Sequence, residues 1–141
     1  MVQTISPRQL AEMNGGRESI DLIDVRIPVQ YHDCHALGAR NIPFEQLDPE
    51  VVKREHQARA DEPLYLICQV GKLADSACRK LEAAGMTNVV NVEVGTRAWQ
   101  EAGLPVVHGC RGISLPRQVQ MIAGSCIVAG SILGWAVPPW F

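Results

Sequence analysis

The residue best equipped for chemistry stands in LYLICQVGKLADSACRKLEAAG, residues 64–85. An apolar run ends at Cys68, a turn containing Gly71 follows, and an amphipathic helix is expected to open near Ala74. A turn between a strand end and a helix N-terminus points successive backbone amides inward, and with the helix dipole they form an anion cradle. A thiol at the rim of that cradle has its thiolate stabilised and becomes a nucleophile near neutral pH. Its product after taking up one sulfur, a persulfide, is also an anion, so the same amides hold both states without reorganisation. The amides of Gln69, Val70, Gly71, Lys72 and Leu73 are the candidate donors, and Gly71 supplies a position where positive φ is tolerated.

Holding such a turn requires strands and helices in alternation. Ser6-Pro7 before RQLAEM reads as a helix start, ended by Asn14-Gly15-Gly16. Ile20 to Val25, Leu64 to Cys68 and Val89 to Val92 are strand-length runs rich in branched residues. Pro49 to His56 has helical period. So does Asp75 to Ala84, with Ala74, Ala77, Cys78, Leu81 and Ala84 on one stripe and Gly85 where a left-handed cap belongs. The expected fold is a small three-layer α/β domain with a mainly parallel sheet flanked by helices. Ligands in such sheets sit beyond the carboxyl ends of the strands.

The chain of 141 residues suits one domain and a tail, and its formal net charge of -2 is scattered, with no basic stripe for nucleic acid. Five cysteines, Cys34, Cys68, Cys78, Cys110 and Cys126, contain no C-x-x-C pair, which favours free thiols over a disulfide framework or zinc ribbon. The N-terminus has neither the basic nor the apolar region of a secretory signal, so the domain is expected in the cytoplasm. His32, Cys34 and His35 lack further ligands at useful spacing, and no metal is expected. Cys78 and Trp99 read as core packing. Cys34 reads as a spectator, with a resolving thiol for Cys68 as the alternative. Asp24 and Arg26 end a core strand facing the site, either as a structural ion pair or as a pair that orients the loop.

From Ile5 to Val107 the sequence resembles the rhodanese family of sulfurtransferases. The landmarks are DLIDVR (Asp21 to Arg26), HALGARNIP (His35 to Pro43), CQVGK from Cys68, and GTRAWQEAGLPV (Gly95 to Val106), in this order and spacing. The resemblance implies a persulfide on Cys68, thiosulfate or another persulfide as small-molecule donor, cyanide or a thiol as acceptor, and no metal or organic cofactor.

Family loops commonly read C-x-x-G-x-R-S, and here the last two positions are Leu73 and Ala74. An Arg would fork onto an anionic donor, whereas Leu73 cannot, and the ammonium of Lys72 replaces it only in part. Gln30, Cys34 and Val94, the last where a second glycine is usual before Gly95, count as milder departures. Phosphatases on this fold use a longer Cys-x5-Arg loop, which neither Leu73 nor Ala74 completes. A membrane-tethered sulfur relay with little independent turnover is the alternative to an enzyme.

The expected boundaries are a rhodanese-like domain over 1–107, a linker over 108–118, and a hydrophobic helix over 119–141. Met121 to Phe141 carries no charge, and roughly 20 apolar residues are needed to cross a bilayer core. Trp135 and Trp140 cluster at one end, Arg111 and Arg117 flank the other, and Gly130 and Gly134 form a G-x-x-x-G. The segment resembles the membrane module fused to some bacterial rhodaneses, which usually has two helices. Only one fits here, and Pro138-Pro139 would stop it early. The expectation is a domain on the cytoplasmic face of a bacterial inner membrane, with a homodimer through this helix as a further possibility.

Overall fold

The run Leu64–Ile67 becomes the middle strand of a sheet because each of its residues is apolar and buried on one face or the other. In a computed structural model, which describes residues 1–14 and 20–109, the elements follow in chain order. These are β1 (Gln3–Ile5), α1 (Pro7–Asn14), β2 (Asp21–Asp24), α2 (Pro28–Asp33), β3 (Cys34–Ala36), β4 (Arg40–Asn41), α3 (Pro49–His56), β5 (Leu64–Ile67), α4 (Lys72–Ala83), β6 (Val89–Val92), α5 (Gly95–Glu101) and β7 (Val106–His108). One sheet has the order β1-β6-β5-β2-β4 and is parallel throughout. A second pairs β3 with β7 antiparallel.

The parity of each strand assigns its side chains to one of two cores. Leu64, Leu66 and Cys68 join Ile23, Val25 and Val89 beneath Ala74, Ala77, Cys78 and Leu81 of α4 and Val52 of α3. Tyr65 and Ile67 face the other way, toward Leu22, Val90, Val92, Leu10 of α1 and Trp99 of α5. Three layers result, as expected from the alternation of strands and helices. Trp99 is buried, and its indole N–H donates to the Pro105 carbonyl at 2.8 Å.

Local signals explain most helix ends. Ser6 Oγ accepts from the Gln9 amide at 3.2 Å, and Asp48 accepts from the Glu50 amide at 3.0 Å ahead of α3. Gly85, at φ +92, closes α4 with the Gly85 and Met86 amides donating to the carbonyls of Glu82 and Leu81.

One boundary differs from expectation. Helix α4 opens at Lys72 rather than near Ala74, with Gly71 at φ +88 as its cap residue. The turn after Cys68 is therefore only Gln69 to Gly71, and Lys72 and Leu73 belong to the first helical turn. The compact unit runs Met1–Gly109, with β7 carrying the chain through His108. The expected hydrophobic helix over 119–141, Cys110 and Cys126, and the Gly15-Gly16 stop lie outside the described residues. Among the described residues, no helix is long and apolar enough to cross a membrane.

Candidate active site

Cys68 continues the parity of β5, so its side chain drops toward α4, directly below that helix's N-terminus. The Gly71 amide donates to Cys68 Sγ at 3.0 Å. Reversing the chain within three residues needs the left-handed conformation of Gly71, and an added Cβ there would lie 3.3 Å from the Val94 nitrogen. Gly71, the cap residue of α4, has no side chain to offer the helix's first amides. Cys68 itself is 2% exposed, at the floor of the cradle rather than on its rim.

Two neighbouring loops hold this turn. From the β6 side, the Thr96 amide and hydroxyl both reach the Cys68 carbonyl, at 2.7 and 3.2 Å. Asn91 Nδ2 donates to the Gly71 carbonyl at 3.1 Å, while its buried Oδ1 accepts no hydrogen bond among the described residues. From the β2 side, the Asp24 carboxylate takes the Arg26 guanidinium at Nε and, at 2.7 Å, at Nη2. The same guanidinium donates from Nη1 to Gln69 Oε1 at 3.0 Å and from Nη2 to the Cys34 carbonyl at 2.6 Å. Asp24 and Arg26 form a buried ion pair, and the same guanidinium hydrogen-bonds Gln69 of the turn. With these partners, Arg26 is a clamp beneath the loop and does not offer a free fork to a donor anion.

The remaining candidates separate clearly. Lys72 and Leu73 stand on the first turn of α4, both exposed. Cys34 is half-buried and its sulfur takes a contact from Gln100 Nε2 at 2.9 Å. Cys78 is fully buried on the α4 stripe, and burial, with Asp75 and Glu82 nearby, pushes its thiol up to about 12. Among the described residues no cluster of His, Cys, Asp and Glu could hold a metal. A cavity of about 410 Å3 lined by Lys53, Arg54, His56 and Asn88 opens at the opposite, amino-terminal edge of the strands, away from Cys68.

Sequence reasoning missed Asn91 and Thr96, and it underrated Val94. Asn91 is a polar residue inside the buried run VVNV, a signal in itself that a strand side chain has work outside the core. Val94 is not a mild departure, because it holds φ +55, the left-handed region that a β-branched residue enters only under strain.

The comparisons with known proteins agree with this fold. A family model described as the rhodanese-like domain matches residues 6–102. The slr1261 protein of Synechocystis sp. is 33% identical over 139 residues, 98% of this chain and 75% of its own length. The thiosulfate sulfurtransferase GlpE of Vibrio cholerae is 29% identical over 85 residues, 60% of this chain and 76% of its own. The solution structure of the rhodanese-like domain from the Anabaena sp. Alr3790 protein superposes with a TM-score of 0.64 over 81% of this chain and 89% of that one, at 22% identity. With the family model covering more than half of its length, the chain belongs to the rhodanese-like domain family.

Proposed function

We propose that the chain is a sulfurtransferase that carries sulfane sulfur on Cys68. The supporting observation is the Gly71 amide 3.0 Å from Cys68 Sγ, at the end of β5 and at the N-terminus of α4. The Cys68 thiolate attacks the outer sulfur of thiosulfate. The S–S bond breaks, sulfite leaves with the bonding pair, and Cys68 keeps the sulfane sulfur as a persulfide anion. A persulfide donor reacts in the same way, with its thiolate as the leaving group. Cyanide or a thiolate then attacks the outer sulfur and restores the Cys68 thiolate. The amides of the turn, Gln69 to Gly71, and of the first residues of α4, Lys72 and Leu73, stabilise the anion in both resting and loaded states. Arg26 and Asp24 act as positioning residues through Gln69.

The test is mass spectrometry of the full chain after exposure to thiosulfate and to glutathione persulfide, followed by cyanide. The expected result is one added sulfur on Cys68, released as thiocyanate, and no adduct in Cys68→Ser. Full transfer by Cys68→Ser would show that the nucleophile is assigned wrongly.

The alternative, a sulfur relay with little independent turnover, draws support from Leu73. No arginine fork stands at that position, and Arg26 is occupied below the loop. A stable adduct with slow release to small acceptors would favour relay, and rapid multiple turnover the enzyme. We further propose that residues 119–141 tether the domain to the cytoplasmic face of a membrane. Partition of the full chain into lipid vesicles, lost on removal of residues 113–141, is the expected result.

A further inference from the structure

Three aliphatic residues in or next to the turn after Cys68 are exposed: Val70 at 49%, Leu73 at 37% and Val94 at 46%. Val70 precedes Gly71 in the turn, and Leu73 is the second residue of α4. Val94 joins them from the neighbouring loop, its nitrogen 3.3 Å from where a Cβ on Gly71 would lie. Apolar side chains left in water at a site's entrance are an unspent contact surface.

Val94 adds a second, independent observation. It cups α5 at φ +55, a conformation glycine takes freely and a β-branched residue takes only under strain. Strain at the edge of a site persists where the side chain it retains has a use there. The nearby charges are poorly matched to a small dianion. Lys72 offers a single ammonium, the guanidinium of Arg97 runs to Glu101 along α5, and Arg26 is buried under the loop.

We propose that Val70, Leu73 and Val94 select the sulfur donor: an organic persulfide, R–S–SH, whose group R next to sulfur is uncharged and apolar. This rests on the sulfur-transfer reading of Cys68. In the step it implies, the Cys68 thiolate attacks the outer sulfur of R–S–SH, and that S–S bond breaks as the new one forms. RS⁻ departs with the electron pair, and the persulfide proton passes to solvent, leaving Cys68–S–S⁻. No net oxidation occurs. The departing RS⁻ is the part that lies against the three aliphatic side chains, so their contact acts on R and leaves the amide cradle to the transferred sulfur.

The experiment compares donors of equal size and opposite character on the full chain. Single-turnover loading of Cys68 is followed by quenching and mass spectrometry, with butyl persulfide against the persulfide of 3-mercaptopropionate. A peptide pair, Leu-Cys-Leu and Asp-Cys-Asp persulfides, distinguishes a protein source of the same chemistry from a small molecule. The expected result is a preference of about tenfold for the apolar member of at least one pair, and its loss in Leu73→Ser/Val94→Asn. Asparagine accepts the left-handed conformation, so the fold is retained while the apolar lip is removed. Equal rates within both pairs, or a preference that survives the double variant, would overturn the proposal and leave sulfur transfer standing. Failure of every donor to load Cys68 would overturn both.

Discussion

A Cβ placed on Gly95 would stand 1.9 Å from the carbonyl oxygen of Cys68. That approach lets the Thr96 amide and hydroxyl converge on the same oxygen, which locks the turn bearing the thiol to the start of α5. Gly95 also holds φ +58, where any L side chain is strained. The variant Gly95→Ala therefore meets a steric and a conformational penalty together and should lose about 3 kcal/mol. Thr96→Ala keeps the amide bond and should lose about 1 kcal/mol. Urea unfolding of the two variants checks the ranking.

Arg26 serves three acceptors from one guanidinium, namely Asp24, Gln69 and the Cys34 carbonyl. Both members of the ion pair are buried, so removing one strands the other in the interior. Arg26→Met should cost about 3–5 kcal/mol for that reason. Arg26→Lys keeps the charge, yet one ammonium cannot reproduce the planar fork that reaches Gln69 and Cys34 as well. Its expected signature is slower sulfur loading of Cys68, measured by mass spectrometry, at a smaller loss of urea stability than Arg26→Met shows.

What was legible in the sequence was whatever local pattern decides. The apolar runs at Leu64 and Val89, the helical period from Pro49 to His56 and the glycine stop at Gly85 mark β5, β6, α3 and α4 to within a few residues. The start of α4 was misjudged because Gly71, read as a loop residue, caps the helix through its backbone, with no Ser, Thr or Asp to announce it. The partners of the turn were harder still. Asn91, Thr96 and Arg26 reach it from β6, the start of α5, and the loop just past β2, and only the strand order β6-β5-β2 brings these together. The strain at Val94 is a property of one backbone angle that composition does not carry.

Cys78 should set part of the alkaline limit of the fold. Burial is the main cause that raises its thiol, from an ordinary value of 9.0 to about 12. The folded state keeps the proton where the unfolded chain has lost it. Its contribution to stability is therefore full below pH 9 and falls as pH rises toward 12, by about 1.4 kcal/mol per pH unit. Tyr31 and Tyr65, both raised mainly by burial, add to the loss above pH 10. Urea midpoints between pH 8 and 11 should fall more gently in Cys78→Ala than in the parent chain. In native protein at pH 8, iodoacetamide should leave Cys78 unmodified until urea exposes it.

Leu73→Arg tests how much of the donor preference lies in one missing cation. The residue stands exposed on the first turn of α4, close enough in the chain to the Gly71 cap that a guanidinium could lean over the Cys68 cradle. There it would meet the sulfonate oxygens of thiosulfate with a planar fork, which a point charge on Lys72 does not provide. Sulfur loading from thiosulfate should rise about tenfold, the worth of one charge-assisted contact of about 1.4 kcal/mol. The same charge sits at the positive end of the helix dipole and should lower stability by about 0.3–1 kcal/mol. Loading rates and urea midpoints measured on one preparation separate the two effects. Unchanged thiosulfate loading in a folded Leu73→Arg chain would show that the cradle amides, and not the absent fork, limit this donor.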